Sequence, residues 1–315
     1  MVQLIISASR RTDIPAFFSD WFFNRIADGY VLVRNPMNSH QIGRVSLSPE
    51  VVDCIVFWTK NPERMIPGLD LLKEYMYYFH FTLNPYDSTV EQNVPNKETL
   101  IDTFLRLSEK LGENRVIWRY DPIIISHEFD LEYHLEHFDY LASRLHKHTK
   151  KCIISFVDFY ARAKKKLNAM DAKELSNIEI KSIASKLSSI AKGYSLKLET
   201  CAEVIDLEKY GIGHSRCIDS ELIGELLGSK IDVAKDKNQR AACGCAASID
   251  IGVYNSCSHN CAYCYANYNK GVMKKNIDAY DVNSPLLCSK VGPEDKIYER
   301  KIQSYVIRQL DMFKL

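Results

Sequence analysis

Short runs rich in Val, Ile, Phe and Tyr recur along the chain, each followed by polar residues and then by a stretch of helical spacing. These runs predict strands at 3–8, 30–34, 53–58, 76–83, 115–119, 152–157, 195–199 and 249–253. Helical periodicity is clearest over 98–111, where Leu100, Ile101, Phe104, Leu105, Leu107 and Leu111 make one apolar side, and it recurs over 131–147 and 178–192. Alternating strands and helices, with strands apolar on both faces, point to an α/β protein with a parallel sheet covered by helices. Eight strands at these intervals predict a (β/α)8 TIM-like barrel over 1–253. After residue 265 the periodicity weakens, which predicts a loop-rich extension over 270–295 and a final helix over 296–311. Residues 254–315 are expected to form an extension packed on the barrel.

Polar residues follow the predicted strands directly. They include Ser9, Arg10, Arg11 and Asp13 after the first, Arg34-Asn35-Pro36 at the second, Lys60-Asn61-Pro62 after the third and Asn84 after the fourth. Arg119-Tyr120-Asp121-Pro122 follows the fifth, Asp158 the sixth, and Glu199 and Cys201 the seventh. A parallel barrel would gather all of these at one mouth, where barrel active sites sit. Asn-Pro pairs also serve as turn formers, but a turn has no use for a long cation. A guanidinium suits carboxylate or phosphate. Arg10, Arg119, Asp121 and Glu199 are therefore the candidates for catalysis, the carboxylates also being suited to ribose hydroxyls. Ser9, Arg11, Asp13 and Lys60 are the candidates for holding a cofactor. Ion pairing across the mouth is the plainer alternative for the charged members. His127, His134, His137, His146 and His148 fall on or beside a surface-like helix and are expected to be solvated.

Lys and Arg together number 41 against 40 for Asp and Glu, so no bulk attraction to nucleic acid or membrane follows. The opening Met1-Val-Gln-Leu-Ile-Ile-Ser lacks the basic region and long apolar run of a signal peptide. No run approaches the ~20 apolar residues of a membrane span. A cytoplasmic protein without a membrane partner is expected, and there ten cysteines read as metal ligands or buried thiols before disulfides.

Cys257-Ser-His-Asn-Cys261-Ala-Tyr263-Cys264 places three thiols in one short loop. Such a set suits a soft-metal centre with one position left without a protein ligand, and an open position is where substrate or cofactor chemistry takes place. Structural zinc is the alternative, with His259 as a strained fourth ligand. The spacing and the aromatic before the last thiol resemble the cluster loop of radical S-adenosylmethionine (SAM) enzymes. That resemblance implies a four-iron (4Fe-4S) cluster on Cys257, Cys261 and Cys264. It also implies SAM on the open iron, Tyr263 against the adenine, and an electron donor such as flavodoxin or ferredoxin. Upstream, Cys201, Cys217, Cys243 and Cys245 suggest a second, fully ligated four-iron cluster, with zinc as the alternative. Cys54 and Cys152 lie in apolar strands and read as core residues.

Ser7-Ala-Ser-Arg-Arg-Thr-Asp-Ile-Pro15, Phe57-Trp-Thr-Lys-Asn-Pro62, Trp118-Arg-Tyr-Asp-Pro122, Ser248-Ile-Asp-Ile-Gly252 and the cysteines together resemble the uncharacterised family called domain of unknown function 1848, over nearly the full length. Radical SAM barrels carry their cysteine loop after the first strand, whereas here it follows the last, so the resemblance implies a circularly permuted barrel. The Gly-Gly-Glu run with which many of those enzymes contact SAM is absent from this sequence. Cys261-Ala-Tyr-Cys264-Tyr-Ala266 is similar to the loop of spore photoproduct lyase, which acts on DNA. Gln309-Leu-Asp-Met-Phe313 resembles a sliding-clamp docking peptide. A non-catalytic iron–sulfur or zinc adaptor on the clamp, and a barrel hydrolase using Asp121 and Glu199, are the rival expectations.

Overall fold

The computed structural model describes residues 4–300. Eleven strands are seen there: β1 (Leu4–Ala8), β2 (Tyr30–Arg34), β3 (Gln41–Ser46), β4 (Val52–Thr59), β5 (Tyr77–Thr82), β6 (Val116–Ile123), β7 (Lys151–Phe156), β8 (Lys197–Cys201), β9 (Gly213–Ser215), β10 (Ile249–Asp250) and β11 (Lys296–Glu299). The α-helices are α1 (Ile14–Phe17), α2 (Ser19–Asp28), α3 (Lys97–Leu111), α4 (Leu131–Leu145), α5 (Ala161–Ala169), α6 (Asn177–Gly193), α7 (Ser220–Leu227) and α8 (Lys270–Asp278). The three helices predicted by periodicity are α3, α4 and α6. Each starts at a capping side chain: Asn96, Asp130 and Ser176 accept from the backbone N–H three residues on, and Glu179 completes a capping box with Ser176.

The main sheet is parallel, in the order β10-β1-β4-β5-β6-β7-β8-β9. Eight parallel strands were expected, but two details differ. The segment 30–34 is not among them; β2 pairs antiparallel with β3 in a separate three-stranded sheet that β11 completes. Its place is taken by β9, a three-residue Gly-His-Ser strand with no apolar run to announce it. The expected closure is not seen either, since β9 and β10 form two edges that share no ladder. Residues 296–299 are strand where a helix was expected to begin, and the rest of that predicted helix, with the clamp-like Gln309–Phe313, lies outside the described residues.

Side-chain alternation divides the strands between two cores. Ile6, Ile55, Phe57, Phe79, Trp118 and Ile154 point to the layer shared with α2, α3, α4 and α6. Their neighbours Ile5, Val56, Tyr78, Ile117 and Ile153 point to the opposite face. That second face is filled by the chain running from β9 back to β10, through Ile218, Ile223, Ile231 and Ala246. Fully burying one such isoleucine is worth ~2 kcal/mol, so a segment with little regular structure is still firmly held. It also carries three of the upstream cysteines.

The tail packs on α2: Trp21 Nε1 donates to Ser284 O at 2.8 Å, and Leu287 and Cys288 join the main core. Among the described residues no helix is long and apolar enough to cross a membrane. His134, expected in solvent, is fully buried, donating to Ile124 O at 2.9 Å and accepting from the Tyr120 hydroxyl at 2.8 Å. Its helix turns that position toward β6, and burial holds its pKa down at about 4.

Candidate metal centre

The C-terminal ends of the strands surround a cavity of about 600 Å³, and all seven cysteines of the two sets line it. Ser9, Arg10, Arg11, Asp13, Lys60, Arg119, Asp121 and Tyr263 line it as well. Glu199 does not; it is buried behind the mouth between Lys151 (3.2 Å) and Lys197 (2.6 Å), so its assignment as a catalytic carboxylate is corrected to an ion pair within the sheet. Arg34 is likewise absent from the mouth, being paired through both guanidinium nitrogens with Asp295 at 2.8 and 2.9 Å.

The three-cysteine loop enters the mouth directly after β10. Asn255 and Asn260 adopt left-handed backbone conformations (φ 55° and 54°), which short polar side chains tolerate, and these bends fold the loop between the thiols. Asn255 Oδ1 accepts from the N–H groups of Tyr268 and Asn269, both at 2.9 Å, closing the loop's base. A second segment, following β5, braces it from the side. Asn93 donates to the carbonyls of Ser258 and His259, Ala262 N–H donates to Val90 O at 2.8 Å, and Glu91 bridges Cys261 through the backbone.

Two buried carboxylates lock this arrangement. Asp13, 6 % exposed, accepts from Ala16 N–H, Lys60 N–H and His259 Nε2 at 3.0, 2.7 and 2.9 Å, so it ties α1, the end of β4 and the cysteine loop together. Glu91, 1 % exposed, receives Lys60 and Lys97 at 2.7 Å each and the Tyr263 hydroxyl at 2.5 Å. Burial pushes the Glu91 carboxyl up, but Lys60 and Lys97 outweigh it and hold the pKa down at about 2. Asn84 links the same hydroxyl to the Asp121 backbone. Lys60 and Asp13, read from the sequence as cofactor contacts, thus spend these groups inside the protein. Tyr263 likewise has its hydroxyl engaged and the Lys60 ammonium 5.4 Å from its ring centre.

A third carboxylate, Asp250 on β10, accepts from Ser7, Ser9 and the Arg10 N–H at 2.7–2.9 Å. Gly252 lies against this cluster so closely that a Cβ there would fall 2.0 Å from Ser9 Oγ. Neither Glu91 nor Asp250 was singled out from the sequence. Glu91 is a lone acid in a loop and carries no local signal, whereas Asp250 sat in view within a predicted strand, where an acid flanked by isoleucines is already unusual.

On the other wall, Arg119 donates to Cys217 Sγ at 3.0 Å and is ion-paired with Asp121, which also accepts from Ser155. Burial would raise the Asp121 carboxyl, and the Arg119 guanidinium overrides it, keeping the group below the usual carboxylate range. Cys201 and Cys217 are in sulfur–sulfur contact at 3.3 Å, and all ten cysteines are free thiols. Burial pushes the thiols of Cys257 and Cys264 up, and that of Cys261 to about 12. A bound metal cation reverses that preference, since a coordinating thiol is deprotonated. Among the described residues no three His, Cys, Asp or Glu side chains converge on a position for a single ion. The donor chemistry of the three-thiol loop nonetheless fits a cluster. It offers three free sulfurs on one cavity wall, and its only nearby imidazole has Nε2 committed to Asp13.

The family model described as Domain of unknown function (DUF1848) matches residues 5–266, and the chain belongs to that family. No curated protein matches it. A solved structure described as "a putative alpha-L-fucosidase from Bacteroides thetaiotaomicron VPI-5482" shares 10% identity, covering 58% of this chain and 84% of that one with a TM-score of 0.26. A likeness at that score carries no weight for fold or chemistry.

Proposed function

We propose that this member of the DUF1848 family is a radical SAM enzyme, with Cys257, Cys261 and Cys264 as ligands of a 4Fe-4S cluster. The observation that carries the reading is the position of the loop. It offers three sulfurs and no fourth protein ligand at the mouth of a parallel sheet, beside a cavity large enough for a nucleotide. When bound, the cluster and SAM supply one-electron cleavage of the sulfonium to methionine and a 5′-deoxyadenosyl radical, which takes a hydrogen atom from substrate.

The chain's own part is to hold and to exclude. Asp13 and Glu91 fix the two flanks of the loop, so the sulfurs keep their positions without metal-driven folding of the whole mouth. His259, bonded to Asp13, is held away from ligation, which keeps the fourth metal position open. Arg10, Arg11 and Lys60 give the β1 and β4 side of the cavity the cations that suit a SAM carboxylate. The buried Arg119–Asp121 pair presents a fixed dipole to whatever occupies the cavity, which is the way a protein orients a cofactor's chemistry. On this reading the fold is a permuted radical SAM barrel. The parallel pairing of β10 with β1 supports it, because it sets the loop-bearing strand beside the strand that would follow it in an unpermuted chain. The substrate, including any nucleic acid, is not part of the proposal.

Anaerobic reconstitution followed by electron paramagnetic resonance with and without SAM tests it. A reduced-cluster signal that changes on SAM addition, together with 5′-deoxyadenosine formation under a flavodoxin or ferredoxin donor, is the expected result. Stoichiometric zinc, or a signal indifferent to SAM, returns the protein to the class of non-catalytic metal-binding adaptors.

A further inference from the structure

We propose that Cys201, Cys217, Cys243 and Cys245 form a second iron–sulfur centre, loaded independently of the three-thiol loop, and that Arg119 is the positioning residue that sets its reduction potential. The proposal stands whether or not SAM binds at the first centre.

The four thiols come from three separate places: the end of β8, the turn after β9, and the return of the chain toward β10. Local sequence has no reason to unite them, yet they form a continuous series. Cys201 touches Cys217 at 3.3 Å, Cys217 interacts with Cys245, and Cys245 with Cys243. The backbone of Cys217 is gripped from the sheet, its carbonyl accepting from the Tyr78 hydroxyl and from His80 Nε2, both at 2.7 Å. Tyr78 and His80 are fully buried side chains of one strand, both given over to fixing one cysteine. Cys245 Sγ in turn accepts from Ile218 N–H at 3.5 Å.

Charge supplies the second argument. Arg119 is 6 % exposed, permanently cationic, and aims Nη1 at Cys217 Sγ. A neutral thiol is a weak acceptor, so a buried guanidinium placed there is matched to a thiolate. Several thiolates packed in one series repel unless metal cations lie among them. One zinc ion would hold all four sulfurs at ~2.3 Å and hence ~3.8 Å from one another. The series here does not close on such a point among the described residues. A cubane gives each thiolate its own iron, which accommodates sulfurs strung along a wall. With four protein ligands this centre has no open corner, so its role is to pass electrons, and a hydrogen bond from a cation to a ligand sulfur raises the potential.

Iron and sulfide are counted on anaerobically reconstituted full-length protein, on the triple variant Cys257→Ala/Cys261→Ala/Cys264→Ala, and on Cys243→Ala/Cys245→Ala. We expect about eight irons in the natural protein and about four in each variant. The triple variant should keep a reducible cluster whose signal ignores SAM, and Arg119→Lys should move its midpoint to a more negative value while retaining the iron. A triple variant without iron, or one holding a single zinc, overturns the centre. An unshifted midpoint in Arg119→Lys overturns the role of Arg119. If Cys243→Ala/Cys245→Ala fails to fold by circular dichroism, the triple variant alone decides. About eight irons with no SAM response would defeat the radical SAM reading and leave this centre standing.

Discussion

Replacing Glu91 by Gln removes one buried charge and leaves two. Each lysine lies 2.7 Å from a carboxylate oxygen, a gross attraction of ~6 kcal/mol per pair at an effective dielectric of 20, largely offset by the cost of dehydrating three ions. The net can be read from the carboxyl, whose pKa falls from 4.5 to about 2. At 1.36 kcal/mol per unit that is ~3 kcal/mol of stability in favour of the folded state at neutral pH. Because the folded pKa is depressed, this contribution is fully present above about 4.5 and is lost as pH falls toward 2. Glu91→Gln should therefore lower the unfolding free energy by ~3 kcal/mol at pH 7, or Tm by roughly 6–12 °C, with the deficit vanishing in acid. The loop should loosen with it, since Glu91 also holds the Tyr263 hydroxyl and bridges Cys261. Urea denaturation of the metal-free protein, paired with the alkylation rate of Cys261, reads both effects. Adding Lys97→Met to Glu91→Gln should recover part of the loss, because it removes one of the stranded cations. Strict additivity of the two substitutions, or a deficit that persists unchanged down to pH 2, would refute the charge-pairing account.

Asp53 is 3 % exposed, neither of its oxygens has a hydrogen-bond partner, and burial pushes its pKa up to about 6. Asp53→Asn should stabilise the protein by ~1–2 kcal/mol at pH 7 and by little near pH 4, checked by denaturant melts at both; a destabilised Asn variant at pH 7 counts against the reasoning. Gly252→Ala should cost ~1–3 kcal/mol and displace Ser9 from Asp250, because the added methyl meets Ser9 Oγ at 2.0 Å; an unchanged melting curve would show that the mouth yields more easily than argued. His134 is neutral when folded and more basic when unfolded, so stability should decline as pH drops from about 6.5 to 4. Titrating its ring carbons by NMR should give an apparent pKa near 4, and a value near 6.5 would contradict the burial.

Local pattern determined a good deal of this protein. The apolar side of 98–111 became α3 almost residue for residue, and six of the eight predicted apolar runs lie in the main parallel sheet beside a seventh, short one at β10. Both periodicities are properties of neighbouring residues, so they need no knowledge of the rest of the chain. The three-thiol loop was legible for the same reason, its ligands lying within eight residues. What required the tertiary structure was adjacency between distant segments. Nothing local distinguishes 30–34 from a strand of the main sheet, and only its pairing with β3 sends Arg34 to Asp295 instead of the cavity. Glu199 and Asp121 each follow a strand and look alike in sequence, yet two lysines on neighbouring strands claim the first, while an arginine at the mouth holds the second. Glu91 and the gathering of Cys201, Cys217, Cys243 and Cys245 were decided by the same means. A buried charge or thiol is settled by whichever partner the strand order brings within a few ångströms, and strand order is a property of the whole fold.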